Sequence, residues 1–146
     1  TFEAAAFLRR SGADTGDVKK LFQNDLEGTI AKYDIIQNAK MYHEGIAVAK
    51  VDHTVGRITA AQAADELLNI SGIDTSFVLF PDQEGRVILS ARSLGDVNVQ
   101  VILEEFGGGG HFTGAGAQIK NVSVADVRRA LLRELDDKME ETTDQT

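Results

Sequence analysis

Phe77-Val78-Leu79-Phe80-Pro81-Asp82-Gln83-Glu84-Gly85-Arg86-Val87-Ile88-Leu89-Ser90-Ala91-Arg92 is the stretch whose reading decides the fold. Four apolar residues run into the chain's only proline, which cannot donate to a sheet ladder and so ends a strand. Asp82 to Gly85 supplies turn chemistry, and Arg86 to Arg92 returns as a second apolar run, which makes the pair a hairpin. Upstream, after Gly45, Ile46, Val48 and Val51 mark another strand that ends near Asp52. Thr59 and Gln62 have capping-box spacing and open an alanine-rich helix through Ala63, Ala64, Leu67, Leu68 and Ile70, which Gly72 closes. Downstream, Val97 to Phe106 reads as a short helix and Ala117 to Val122 as a strand. Ser123 to Met139 reads as the closing helix, with Ser123 and Asp126 again at capping spacing. Strands that alternate with helices, plus one hairpin, predict an α/β fold with a mixed sheet of about four to five strands and helices packed on it.

The N-terminal part reads as a helical connector. Phe2, Ala5, Ala6 and Leu8 fall at helical spacing before Gly12, and Asp14 or Asp17 caps a second helix with Val18, Leu21 and Phe22 on its buried stripe. A third helix is expected from about Leu26 to Tyr42, stepping through Ile30, Tyr33, Ile36 and Ala39 or Lys40. A start at Thr1 with an apolar helix already under way suggests a piece of something longer.

Composition narrows the function classes. A chain of 146 residues with 42% hydrophobic content suits one compact domain and a smaller appended element. No apolar run approaches the roughly 18 to 20 residues of a membrane helix, and no leader resembles a signal peptide, so a soluble segment is expected. With no cysteine there is no disulfide framework and no thiolate chemistry, which favours an intracellular setting. A net charge of −8 argues against a sequence-independent grip on long duplex nucleic acid, while a short anionic ligand needs only one local positive pocket. The acidic excess gathers in Glu134, Asp136, Asp137, Glu140, Glu141 and Asp144, a solvated helix end.

The chemistry concentrates around Gly107-Gly108-Gly109-Gly110-His111. Four glycines allow positive φ at no steric cost and let a ligand approach main-chain amides, as phosphate oxygens require, and the histidine adds a donor that can be charged. A flexible spacer is the plain alternative, but apolar residues flank the run on both sides: Ile102, Leu103 and Phe106 before it, and Phe112, Ala115, Ala117 and Ile119 after it. Arg92 and Ser93 lie at the C-terminal end of a strand, where ligands collect in open α/β sheets, and Asn98 stands at the start of the next helix. Arg92 offers a bidentate grip on phosphate, Ser93 a hydroxyl and Asn98 an amide. The competing reading is a surface pair of Arg92 with Asp96 or Glu104 and a helix cap at Asn98. His111 is a phosphate donor, a metal ligand or a histidine satisfied inside the fold; no second ligand accompanies it, and His43 and His53 stand apart without metal-type spacing. Phe112 reads as core more readily than as a base-stacking ring.

The ordered strings Ser90-Ala91-Arg92-Ser93, Gly95-Asp96-Val97-Asn98 and Phe106-Gly107-Gly108-Gly109-Gly110-His111 resemble the DHH-associated (DHHA) domain that follows the catalytic domain of DHH-family phosphoesterases. Gly114-Ala115-Gly116 stands where many members have Ala-Ala-Gly. The resemblance covers most of Gly45 to Met139, and Leu8 to Asp14 looks like the last helix of a DHH domain. The four-glycine form with Phe112-Thr113-Gly114 is similar to the cyclic-di-AMP phosphodiesterase branch.

The resemblance implies residues 1–44 as the DHH tail and connector, 45–141 as the DHHA domain and 142–146 as a disordered tail. It further implies a substrate-binding half of a metal-dependent phosphodiesterase that opens cyclic-di-AMP or a related dinucleotide to a linear dinucleotide or mononucleotide. Arg92, Ser93, Asn98, Gly107, Gly108, Gly109, Gly110 and His111 would bind substrate. Catalytic residues and the manganese pair would belong to the DHH domain of the same polypeptide, with no metal held here, because Val51-Asp52-His53 lacks the Asp-His-His pattern. The fragment alone is then expected to be inactive and cytoplasmic, its parent open to membrane anchoring by an upstream segment. The alternatives are a short-RNA exonuclease of the same family, a nucleotide sensor without catalysis, and a dimerisation module.

Overall fold

The computed structural model describes residues 15–144, so the expected helix from Phe2 to Leu8 lies outside the described residues. Thr1–Ala31 and Lys32–Thr146 form separate compact units. The described part of the first is helical; the second carries the sheet. The elements run α1 (Thr15–Gln37), β1 (Ala39–Met41), β2 (Ile46–Lys50), α2 (Arg57–Leu67), β3 (Thr75–Pro81), β4 (Val87–Ser93), α3 (Val99–Glu104), β5 (Gly109–His111), β6 (Gly114–Ile119) and α4 (Val124–Asp144). Among the described residues six strands lie in the order β1-β2-β3-β4-β6-β5. β2 and β3 run parallel across the α2 crossover, and every other pairing is antiparallel. The α/β class and the mixed sheet agree with the sequence reading, and the strand count is slightly higher than expected.

The two extra strands have distinct causes. β1 falls inside the stretch expected to be helical, because the helix stops at Gln37: the Asn38 amide nitrogen of the side chain donates to the Asp34 carbonyl at 2.7 Å and closes the last turn. Ala39, Lys40 and Met41 then pair with Ala49, Val48 and Ala47. The second and third expected helices are one, since the isolated Gly28 inside α1 costs only about 1 kcal/mol and does not break it. β5 comes from within the glycine run itself. α2 also begins earlier than its apparent capping box: Gly56 is its N-cap, Thr59 lies within the first turn, and no side chain caps it. At α4 the capping reading holds, with Asp126 N–H donating to Ser123 Oγ at 3.1 Å. The tail expected beyond Glu141 is helical to Asp144.

Strand alternation divides the core between two faces. On one, Ile46, Val48, Phe77, Leu79, Leu89, Ala91, Ala115 and Ala117 pack against Val99, Ile102 and Leu103 of α3 and Val127, Leu131 and Leu135 of α4. On the other, Ala47, Ala49, Val78, Phe80 and Ile88 pack against Ala60, Ala63, Ala64 and Leu67 of α2 and Ile35 of α1. Each large side chain so buried contributes roughly 1.5–3 kcal/mol of apolar transfer free energy. The buried Ser76 hydroxyl sits under α2 and donates to the Ala64 carbonyl at 2.7 Å, so burial there leaves no polar orphan.

The hairpin is held by Asp82, whose carboxylate accepts the Glu84 and Arg86 amides and pairs with the Arg86 guanidinium at 2.7 Å. Burial acts to raise that carboxyl, and the three hydrogen bonds outweigh it, so Asp82 titrates below its ordinary value. At the β1 edge of the sheet, the turn after β1 carries His43 at φ 57 and Gly45 at φ 87. Tyr42 Oη donates to Asp136 Oδ1 at 2.7 Å, and His43 Nε2 lies 2.7 Å from the same oxygen, which ties this turn to α4. That hydrogen bond raises the Tyr42 hydroxyl and, with His43, lowers the Asp136 carboxyl. A raised folded-state tyrosine contributes stability below its unfolded value and loses it as pH climbs; a lowered aspartate contributes above its unfolded value and loses it in acid. Melting temperature against pH is therefore expected to hold through neutrality and to fall below the carboxylate range and above about 10. Tyr42→Phe should abolish the alkaline limb attributable to this pair; an unchanged alkaline limb would refute the assignment.

Candidate functional site

α2 covers only part of its face of the sheet. Over β4, β6 and β5 the strand surfaces are nearly bare, because Ser90, Gly114 and Gly116 are the residues that point there or carry no side chain at all. The result is a groove of about 520 Å³ lined by Ser90, Arg92, Gly109, Gly110, His111, Thr113, Gly114, Ala115 and Gly116. It adjoins a second cavity of about 530 Å³ that shares Ser90 and Gly116 and adds Arg57, Phe80, Ile88, Gly107 and Gln118. Both volumes lie within the usual range of small-ligand sites.

Arg92 lies opposite Gly114 in the β4–β6 register. A Cβ on Gly114 would stand 3.5 Å from the Arg92 Cδ and Nη1, in ordinary van der Waals contact, so the Arg92 side chain lies directly over this position of β6. Arg92 Nη1 donates to the Ala91 carbonyl at 2.9 Å, and Nε pairs with Asp65 of α2 at 3.2 Å. Asp65 was not among the partners the sequence offered, Asp96 and Glu104. It is remote in the chain and reaches Arg92 only because α2 crosses this face. The Asp65 side chain is 63% exposed, so the pair is a solvated one that an incoming anion can displace.

The eight residues singled out in the sequence do not share one surface. Arg92, Gly109, Gly110 and His111 line the groove, and Gly107 lines the adjoining cavity. Ser93 is the next residue along β4 and so faces the opposite side of the sheet; it is buried, and its hydroxyl accepts the Gly95 amide at 3.0 Å. Asn98 is the N-cap of α3, accepting the Gln100 and Val101 amides at 3.1 and 3.4 Å. Replacing it with alanine is expected to cost about 1 kcal/mol of stability, read as a denaturant midpoint shift, while aspartate at this position keeps the cap. The Gly107 and Gly108 amides donate to the Glu104 and Leu103 carbonyls at 3.0 and 2.9 Å, with Gly107 at φ 78. This is a Schellman ending to α3, so those two amides are committed within the fold.

The groove is fastened from behind. Ser93 N–H donates to Thr113 C=O at 2.9 Å and Val99 N–H to Phe112 C=O at 3.2 Å, which fixes the β5–β6 turn against the start of α3. Phe112 itself is 46% exposed, against the expectation that it joins the core; the turn carries its ring outward. His111 and Thr113 are exposed beside it. His43 and His53 lie elsewhere, near Asp136 and Asp34. Among the described residues no group of three His, Cys, Asp or Glu could hold a metal ion, so no step is assigned to a metal on these residues. No helix of the described residues is long and apolar enough to cross a membrane. Arg57 and Gln118, lining the adjoining cavity, were missed in the sequence because their relation to Ser90 exists only once α2 crosses the sheet and β6 lies beside β4.

A family model described as the DHHA1 domain matches residues 43–141. The chain is 44% identical over 142 residues to a cyclic-di-AMP phosphodiesterase, GdpP, of Geobacillus thermodenitrificans, covering 96% of this chain and 22% of that protein. It is 39% identical over 138 residues to a cyclic-di-AMP phosphodiesterase, PdeA, of Listeria monocytogenes, covering 93% and 21%. Among solved structures, an exopolyphosphatase-related protein from Bacteroides fragilis superposes with a TM-score of 0.66 at 18% identity, over 95% of this chain and 44% of that one, and so shares the fold. The chain spans about a fifth of the length of these curated relatives. With its sheet, its glycine run and most of its length matched, the chain belongs to the DHHA1 domain family.

Proposed function

We propose that this chain is the substrate-binding part of a phosphodiesterase acting on cyclic-di-AMP or a related dinucleotide, yielding a linear dinucleotide or mononucleotide. The observation that carries the reading is the convergence of Arg92, His111, Gly109 and Gly110 on one groove whose floor is bare glycine and serine. A phosphate there would meet a guanidinium fork and an imidazole, with no Cβ to hold it away from the strands. Two adjoining cavities suit a ligand with two nucleotide units. The named activity of the relatives supports the choice of dinucleotide.

In this reading Arg92 and His111 contact phosphate, and Gly109 and Gly110 admit it. Ser93, Asn98, Gly107 and Gly108 act as positioning residues, holding the loop before α3 and the entry to β5. Hydrolysis and its manganese belong to a DHH domain of the same polypeptide, and these residues contribute binding and orientation. Without that partner the chain is expected to bind and not to hydrolyse.

The test is a titration of the isotopically labelled chain with linear and cyclic adenine dinucleotides, followed by amide shifts. Saturable shifts at Arg92, Gly109, Gly110, His111 and Gly114 are expected. Shifts scattered over the surface, or none in this set, would sink the proposal, and a preference for longer oligoribonucleotides would favour the exonuclease reading.

A further inference from the structure

We propose that the opposite edge and opposite face of the sheet carry a second anion site, formed by Lys40, Lys50 and Arg128 and suited to a small phosphate-bearing molecule. Lys40 on β1 pairs in register with Val48 on β2. Val48 belongs to the α3–α4 side of the core, and Lys50 lies two residues further along the same strand, so both lysines share that face. Arg128 follows the buried Val127 in the first turns of α4, which packs on this side. With Asn38, Val48 and Asp52, these three cations line a cavity of about 250 Å³.

Three cations from three elements around one cavity repel one another, and in a chain of net charge −8 acids were available to pair them. Only one does so: Lys50 meets Asp52 at 3.4 Å, and the Asp52 side chain is 79% exposed. Among the described residues neither Lys40 nor Arg128 makes an ion pair. Asn38 adds an amide, one N–H of which is held by the Asp34 carbonyl, so its position is fixed. An anion with two or more phosphate oxygens resolves the repulsion: arginine grips two oxygens as a fork and the lysines act as point charges. The small volume and the acidic chain around it favour a free metabolite over a nucleic-acid backbone.

The experiment is a titration of the labelled chain with inorganic pyrophosphate at constant physiological ionic strength, repeated in the Arg92→Ala variant to silence the groove on the other face. Saturable shifts at Lys40, Lys50 and Arg128 are expected in both proteins, so this site stands or falls independently of the first. Lys40→Gln and Arg128→Gln should each weaken the pyrophosphate affinity about tenfold, the loss of one charge-assisted hydrogen bond. Arg129→Gln, on the same helix but paired with Asp126 at 3.2 Å, should leave it unchanged. All three positions are at the surface or half-buried, and retention of the amide spectrum reports that each variant folds. Linear shifts reproduced by chloride, no shifts at these three residues, or an equal loss in Arg129→Gln would overturn the proposal. Tighter binding of a single-stranded oligonucleotide at this site would overturn the small-molecule assignment.

Discussion

Gly110→Ala and Gly108→Ala are each expected to cost about 3 kcal/mol, while Gly109→Ala between them stays within about 0.5 kcal/mol of the parent. A Cβ on Gly110 would stand 2.5 Å from the Gly114 carbonyl oxygen and 2.6 Å from the Ala115 Cα, and the residue sits at φ 149. A Cβ on Gly108 would press against the Gly116 carbonyl and stand 2.6 Å from the Ala117 Cβ. Neither neighbour is a flexible side-chain end, so β5 must separate from β6 to make room. Gly109 has nothing within 4 Å of its would-be Cβ. Equilibrium urea unfolding reads the difference as a lowered midpoint at unchanged slope. If Gly109→Ala unfolds as readily as its neighbours, the close approach of β5 and β6 is not what these glycines serve. The same variant separates stability from binding, because its new methyl enters the groove that Gly109 lines. It should keep the fold and weaken a dinucleotide.

Arg92→Ala is expected to weaken dinucleotide binding by about 30- to 100-fold, corresponding to one charge-assisted, forked contact. Arg92→Lys should recover part of this, since a lysine keeps the charge and loses the fork. Asp65→Asn should act in the opposite direction. It releases the guanidinium from its pairing at 3.2 Å and removes a carboxylate from beside the proposed phosphate position, so affinity should rise about threefold. Because the Asp65 side chain is 63% exposed, unfolding stability should change by no more than about 1 kcal/mol. Isothermal titration with the linear adenine dinucleotide measures all three. Unchanged affinity in Arg92→Ala, or a loss in Asp65→Asn, would remove Arg92 from the role assigned to it.

The hairpin from Phe77 to Arg92 was legible because its information is local: apolar runs, a proline that ends one strand and an acid-rich turn. Asn98 as the start of a helix was legible for the same reason, although its amide serves the cap, and the sequence could not choose between cap and ligand. What was not legible depends on contacts between distant parts. β1 continues a helical spacing through Ala39 or Lys40, and only pairing with β2 makes it a strand. Gly114 to Gly116 looks like turn material by propensity, yet it pairs with β4 residue by residue. The expectation that ligands gather at strand ends fits parallel sheets; here β4 runs antiparallel to β3, Ser93 lies beside Thr75 at the start of β3, and the groove opens on a sheet face. Alternation along β4 then parts Arg92 from Ser93, neighbours in the chain that address different sides of the sheet.

β5 forms one margin of the sheet, a strand of only Gly109, Gly110 and His111, all exposed. A margin this short offers an incoming strand few main-chain partners and almost no side chains to interlock with, so it resists the edge-to-edge joining by which open sheets grow into aggregates. The bare surface proposed to take a ligand can therefore stay bare at high protein concentration.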